Sequence, residues 1–227
     1  MKPRSMEERV RRVLSNAKVI AFDWDMTVID SHGKLLQNQA IAKEFGNPME
    51  LDAVRRHWNE TTSFPNLMAQ LTNGADMEEI MRVVRRDYDN PEFAKRPFWF
   101  AKAALQSLRA SRRDLALVSS VQRELLEVDA PAVGIDLART FGFVQAQDDC
   151  EYKKPDGRVF NPTLIHFGIA AHKLVYIGDE MKDMVAIEAA GGHFIGVETG
   201  MITGEEFDAV GALHVPSIKE IAEYGTI

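Results

Sequence analysis

The chain is expected to be an α/β protein: a doubly wound, parallel, Rossmann-like sheet with an inserted helical cap. Three observations predict this. Short apolar runs alternate with stretches of helical patterning, the signature of parallel strands joined by crossover helices. Two of those runs end in carboxylates, at Asp23-Trp24-Asp25 and at Gly178-Asp179-Glu180, and open α/β sheets bind ligands at the carboxyl ends of their strands. A long segment from about Ser31 to Pro97 is helical in pattern and holds no convincing strand.

The elements follow in order. Met6, Val10, Val13 and Leu14 recur at helical spacing among Lys2, Arg4, Arg9, Arg11, Arg12 and Lys18. This is an amphipathic helix packed beside the first strand rather than a targeting segment, because no continuous apolar stretch follows the charges. Val19–Phe22 is the first strand. Helices near Leu36–Phe45, Leu51–Trp58, Leu67–Leu71 and Met77–Tyr88 then follow, punctuated by Gly46-Asn47-Pro48, Phe64-Pro65-Asn66, Asn73-Gly74 and Asn90-Pro91. The expected organisation is a core of residues 1–30 and 98–227, with residues 31–97 as the cap. In the second part of the core, strands are expected at Leu115–Val118, Phe143–Ala146, Leu174–Ile177 and Phe194–Val197, with a weaker one at Leu213–Val215. Helices are expected at Ala101–Ala110, Glu124–Asp129, Pro162–Phe167, Met184–Ala190 and Ile218–Tyr224. Gly142, Gly168 and Gly191-Gly192 sit where helices stop or strands begin.

Composition narrows the function. The 227 residues are 45% hydrophobic and 27% charged, with a formal net charge of −7. That balance argues against nucleic acid or an anionic membrane as partner, since both require a basic footprint. No segment has the apolar length of a membrane-spanning helix. Cys150 is the only cysteine, so no intrachain disulfide forms, and a reducing cytoplasm is the expected setting.

The acidic strand ends carry the chemistry. An isolated buried carboxylate is costly unless it is paired, hydrogen-bonded or metal-bound. Ser119-Ser120 places hydroxyls at a second strand end, and Lys153-Lys154-Pro155 offers a fixed positive charge before a helix. If strand order reverses between the first and fourth core strands, Asp23 and Asp179 face one crevice. Hard oxygen ligands of this kind suit Mg²⁺ beside phosphate oxygens. A metal, a lysine and a serine around one carboxylate describe a phosphoryl-transfer site with Asp23 as nucleophile.

With those residues in view, the chain resembles the haloacid dehalogenase superfamily. The matches are Asp-x-Asp-x-Thr at Asp23–Thr27, the strand-end Ser119, Lys154-Pro155, and Gly-Asp-x-x-x-Asp at Gly178–Asp183. Each alone is weak; the ordered set is strong and spans nearly the whole chain. The resemblance implies core strand order 3-2-1-4-5 and a Mg²⁺-dependent phosphatase that forms an aspartyl-phosphate on Asp23. Asp25 would act as acid and base. Mg²⁺ would bind Asp23, the Asp25 carbonyl and Asp179. Ser119, Ser120 and Lys154 would contact phosphate, Lys154 also serving catalysis. Asp183 would act from behind, through water or by holding Lys154, and Thr27 would brace the nucleophile loop.

The inserted helices resemble the cap of the phosphoglycolate phosphatase-like branch, which implies a small phosphorylated metabolite as substrate and a monomer or homodimer. Three positions depart from the pattern. Gly157 replaces the second proline of that branch's Lys-Pro-x-Pro-x-x-Phe segment, Met26 stands where glycine is commonest, and Glu180 follows Asp179 where serine or asparagine is frequent. Two other functions compete: a hexose-phosphate mutase on the same scaffold, and a catalytically silent interaction protein, supported only by Met26 and Glu180. Retention of Asp25 argues against carbon–halogen and carbon–phosphorus cleavage.

Remaining candidates have plainer readings. Arg55, Arg56, His57 and Trp58 adjoin a candidate specificity loop at Asn59–Asn66, but read best as an amphipathic helix with Trp58 in the core. Arg85-Arg86 read the same way. His32 is an exposed hinge residue. His166, His172, His193 and His214 lack metal-ligand spacing, and Cys150 is a lone, partly buried thiol.

Overall fold

The structure, a computed structural model, describes residues 5–61, 63–87, 90–111 and 113–225. Lys2, Arg4 and Tyr88, and part of the Asn59–Asn66 loop, fall outside them. The chain divides into two compact units, residues 1–29 with 97–227 and residues 30–96.

The first unit is built on a six-stranded sheet. Its strands are β1 (Val19–Phe22), β4 (Asp114–Val118), β5 (Phe143–Gln145), β6 (Leu174–Gly178), β7 (His193–Val197) and β8 (His214–Val215), in the order β5-β4-β1-β6-β7-β8. The described strand pairs are parallel. The first five core strands therefore run 3-2-1-4-5 as expected, and the weak run near Leu213 adds a sixth. The order reverses at β1, which lies between β4 and β6, so a crevice opens at its carboxyl end. Two short strands, β2 (Ile29–Asp30) and β3 (Arg96–Pro97), pair where the chain passes between the units. Two residues leave too short a pattern for either to be read from sequence.

Side chains on a strand alternate between faces, and here each face is buried. Ile20, Phe22, Leu115, Leu117, Val175 and Ile177 join one core with α1 (Met6–Asn16), α6 (Ala101–Ala110), α7 (Arg123–Ala132) and α12 (Ile218–Gly225). Val19, Ala21, Ala116, Val118, Leu174 and Tyr176 join the other with α9 (Asn161–Phe167), α10 (Met181–Ala189) and α11 (Gly204–Ala209). Continuous burial on both faces explains why these strands read as unbroken apolar runs. A short helix, α8 (Leu137–Thr140), precedes β5. Neither α8 nor α11 was expected. α11 nevertheless has a legible start, because Thr203 and Glu206 form a capping box.

The second unit holds α2 (His32–Glu44), α3 (Leu51–Glu60), α4 (Phe64–Leu71) and α5 (Met77–Arg86). α2 begins four residues before its expected start. Gly33 lies inside the helix, where a Cβ would stand 2.5 Å from the Phe93 carbonyl. His32 is thus the first helical residue, exposed and paired with Asp30. On α3 the buried residue is Val54, and Trp58 is half-buried rather than in the core. His57 hydrogen-bonds Gln70 at 2.8 Å, and Arg86 pairs with Glu44 and Asp87. These contacts fit the plain reading of that basic face.

Candidate active site

β1 delivers Asp23 to the centre of the sheet. Its backbone N–H still donates to Ile177 on β6, at 2.9 Å. Strand alternation puts the Asp23 side chain on the same face as Ala21, and Ala21 lies beside Tyr176 in register. Trp24, one residue on, turns into the opposite core and is fully buried.

Four chain segments converge on Asp23. The Lys154 ammonium donates to Asp23 Oδ1 at 2.8 Å and to the Tyr176 hydroxyl at 2.8 Å. Tyr176 Oη donates to the Val118 carbonyl at 2.6 Å, a shorter contact than its 3.3 Å to Asp23 Oδ1. Asp183 Oδ1 lies 2.7 Å from Lys154 Nζ but outside hydrogen-bonding direction, so that contact is one of charge. Gly178 has no room for a side chain, since a Cβ would stand 2.4 Å from Asp183 Oδ2. Lys154 is buried and Lys153 exposed, as the sequence indicates.

Asp179 is held separately. Its Oδ1 accepts from Thr27 Oγ1 at 3.1 Å and its Oδ2 from the Met201 N–H at 3.2 Å. Thr27 therefore ties the loop after β1 to the second acidic strand end. Ser119 is buried, and its Oγ accepts from the Val121 N–H at 3.1 Å. That is turn chemistry, yet it leaves the hydroxyl proton to donate. Ser120 is exposed and lines a small cleft with Ser119 and Lys154. Asp25 is half-buried where it bridges to Ile29.

The electrostatics are those of too little positive charge. Burial pushes the Asp23 carboxyl from 3.8 up to about 6, even though Lys154 pulls it down. Burial, and then Glu180, push Asp179 well above the ordinary range. Lys154 stays firmly protonated: burial works against the ammonium, but Asp183 and Asp23 outweigh it. Among the described residues Asp23, Asp179 and Asp183 form a group whose ligand oxygens all lie within 4.8 Å of one another. Hard oxygen donors with unmet negative charge fit a small divalent cation. Glu180 pairs with Lys182, and its charge still adds to the upward push on Asp179.

Met26 takes the glycine-like conformation, with φ +61° and its side chain buried. A left-handed residue with a Cβ costs about 1–2 kcal/mol. Gly157 is also explained: a Cβ there would come within 2.6 Å of the Ala190 nitrogen, so the segment after Pro155 packs flush on the end of α10. Sequence reasoning missed Tyr176, Thr199, Gly200 and Met201. The available signals were a hydroxyl inside an apolar strand, and a Thr-Gly pair just past the end of β7.

Residues 20–197 match the family model of the haloacid dehalogenase-like hydrolases. The chain belongs to that family. A phosphoglycolate phosphatase of Photorhabdus laumondii is 24% identical over 239 residues, covering 92% of this chain and 97% of that one. A phosphoglycolate phosphatase of Escherichia coli K12 is 31% identical over 137 residues, covering 58% of this chain and 53% of the relative. Among solved structures, CbbY of Rhodobacter sphaeroides in complex with phosphate superposes with a TM-score of 0.71 at 17% identity, over 90% of this chain and 96% of that one. A predicted phosphoglycolate phosphatase of Haemophilus somnus gives 0.74 at 19% identity, over 92% and 97%. At these identities the structures establish the hydrolase fold. Among the described residues no helix is long and apolar enough to cross a membrane.

Proposed function

We propose that the protein is a Mg²⁺-dependent phosphatase of a small phosphorylated metabolite, a phosphomonoester of the 2-phosphoglycolate kind. The observation that carries the reading is the contact of the buried Asp23 carboxylate with Lys154, in one cluster with Asp179 and Asp183. The match to two phosphoglycolate phosphatases favours the substrate class.

Asp23, Asp179 and the Asp25 carbonyl would hold Mg²⁺, which when bound offsets charge on the phosphate oxygens. Asp23 attacks phosphorus through a carboxylate oxygen as the ester P–O bond breaks, giving an aspartyl-phosphate. Asp25 protonates the departing alkoxide, then takes a proton from the water that attacks phosphorus and frees inorganic phosphate. Lys154 keeps a fixed positive charge beside the transferring group, and Asp183 holds Lys154 from behind. The Ser119 hydroxyl and the neighbouring Ser120 contact phosphate oxygens. Residues 30–96 act as a substrate-selecting cap. The free, half-buried Cys150 fits a reducing, cytoplasmic setting.

The test is a panel of phosphomonoesters that includes 2-phosphoglycolate, assayed with Mg²⁺ for released phosphate. Chelator should abolish release, and Asp23→Asn should lower kcat/KM by at least about 1,000-fold. An active Asp23→Asn protein would sink the nucleophile assignment. An isomerised sugar phosphate in place of free phosphate would make the protein a mutase.

A further inference from the structure

We infer that Thr199 is a positioning residue that, with Gly200 and Met201, fixes the left-handed turn at Met26 and the Asp179 carboxylate together. The inference rests on reading Asp23–Thr27 as the nucleophile loop. Thr199 follows the carboxyl end of β7, and its Oγ1 donates to the Met26 carbonyl at 2.6 Å. Gly200 packs directly on Asp179, so close that a Cβ would lie 2.1 Å from Oδ2. The Met201 N–H donates to that same oxygen at 3.2 Å. Three consecutive residues thus touch both acidic strand ends.

The need is particular to this chain. Glycine adopts a positive φ readily, whereas a residue with a Cβ is biased out of it. Met26 holds φ +61°, and its carbonyl direction is set by Thr199, while its N–H donates to the Ile29 carbonyl at 2.7 Å. Release of that carbonyl lets the Met26 peptide rotate, which displaces Asp25 on one side and Thr27, the partner of Asp179, on the other.

The test compares Thr199→Val, Thr199→Ser, Met26→Gly and the Met26→Gly/Thr199→Val double variant. Readouts are kcat and KM for p-nitrophenyl phosphate with saturating Mg²⁺, and the unfolding midpoint in urea. Thr199→Val should lower kcat about tenfold with KM changed less than about twofold, and Thr199→Ser should recover most of the loss. In the Met26→Gly background the same Thr199→Val change should cost less than about twofold, because glycine holds the turn without help. An equal loss in both backgrounds, or a lowered midpoint with kcat intact, overturns the inference. If the wild-type protein hydrolyses no phosphomonoester, the phosphatase reading falls by itself. The Thr199–Met26 coupling is then read from the midpoints, where simple additivity overturns it.

Discussion

The hydroxyl of Tyr176 accepts an N–H from Lys154 and gives its own proton to the Val118 carbonyl, so one buried oxygen links three elements around Asp23. Tyr176→Phe removes both bonds while keeping the ring against Phe160. It should destabilise the protein by about 1–3 kcal/mol in urea unfolding and lower kcat/KM about tenfold through a less constrained Lys154. Unchanged kinetics would make Tyr176 a packing residue only. Asp23 gives a second prediction at this scale. Its carboxyl sits at about 6 in the fold against an ordinary 3.8, so the folded chain holds that proton more tightly. The unfolded chain loses the proton first as pH rises, and stability falls across the window from about 4 to 6. Measured in chelator against Asp23→Asn, which stays neutral, wild type should lose up to about 3 kcal/mol over that window. Added Mg²⁺, which favours the ionised form, should flatten the difference. A difference independent of pH would contradict the raised value. The positions of Asp23, Ser119, Asp179 and Asp183 were legible because each follows a strand or lies in the first turn of a helix, and that of Lys154 because it stands directly before a proline. Tyr176 and Thr199 were not, because no motif marks either of them, and their partners Asp23 and Met26 lie 153 and 173 positions away.

The strands of the six-stranded sheet were the most legible elements, each predicted to within about a residue, because burial on both faces makes them continuous apolar runs bounded by polar residues. Helix starts were less so, because side chains outside the apolar pattern set them. α10 opens at Met181 rather than Met184, since the Asp183 carboxylate receives the Glu180 N–H and closes the first turn. α7 runs on to Ala132 through Pro131, where patterning suggested a stop at Asp129. Pro131 has no N–H to bond the Glu127 carbonyl, and the helix stops one residue later, at Ala132. Packing between elements was invisible until the backbones met. Gly157 looked like a lapse from a family proline and is instead a contact surface for α10. Gly157→Ala should therefore cost about 1–3 kcal/mol from overpacking, a fall of several degrees in melting temperature for a chain of this size. Gly142→Ala is the control: its Cβ would meet the Phe167 ring at an ordinary 3.5 Å, so it should cost less than about 1 kcal/mol. Equal costs would mean that α10 yields, and that the close approach at Gly157 is not a constraint.

The site residues from Asp23 to Met201 all belong to the unit of residues 1–29 and 97–227. That unit holds the complete six-stranded sheet with a helical layer on each face. Under the proposed function, residues 30–96 would contribute selection among substrates, while the phosphorus chemistry would need none of their side chains. The joints favour a direct test. Ile29–Asp30 and Arg96–Pro97 are neighbours in one two-stranded sheet, and paired strands lie about 4.8 Å apart, so a few glycine and serine residues can join Ile29 to Pro97 without strain. The shortened chain should unfold in one cooperative urea transition, because the buried faces of its sheet keep their own helices. It should hydrolyse p-nitrophenyl phosphate with kcat within about tenfold of the full chain, while differences in kcat/KM among small phosphorylated metabolites shrink toward unity. Intact discrimination in the shortened chain would place specificity in the sheet unit itself, near Met26 and Ser120. A folded but inactive core would show that residues 30–96 complete the chemistry rather than select for it.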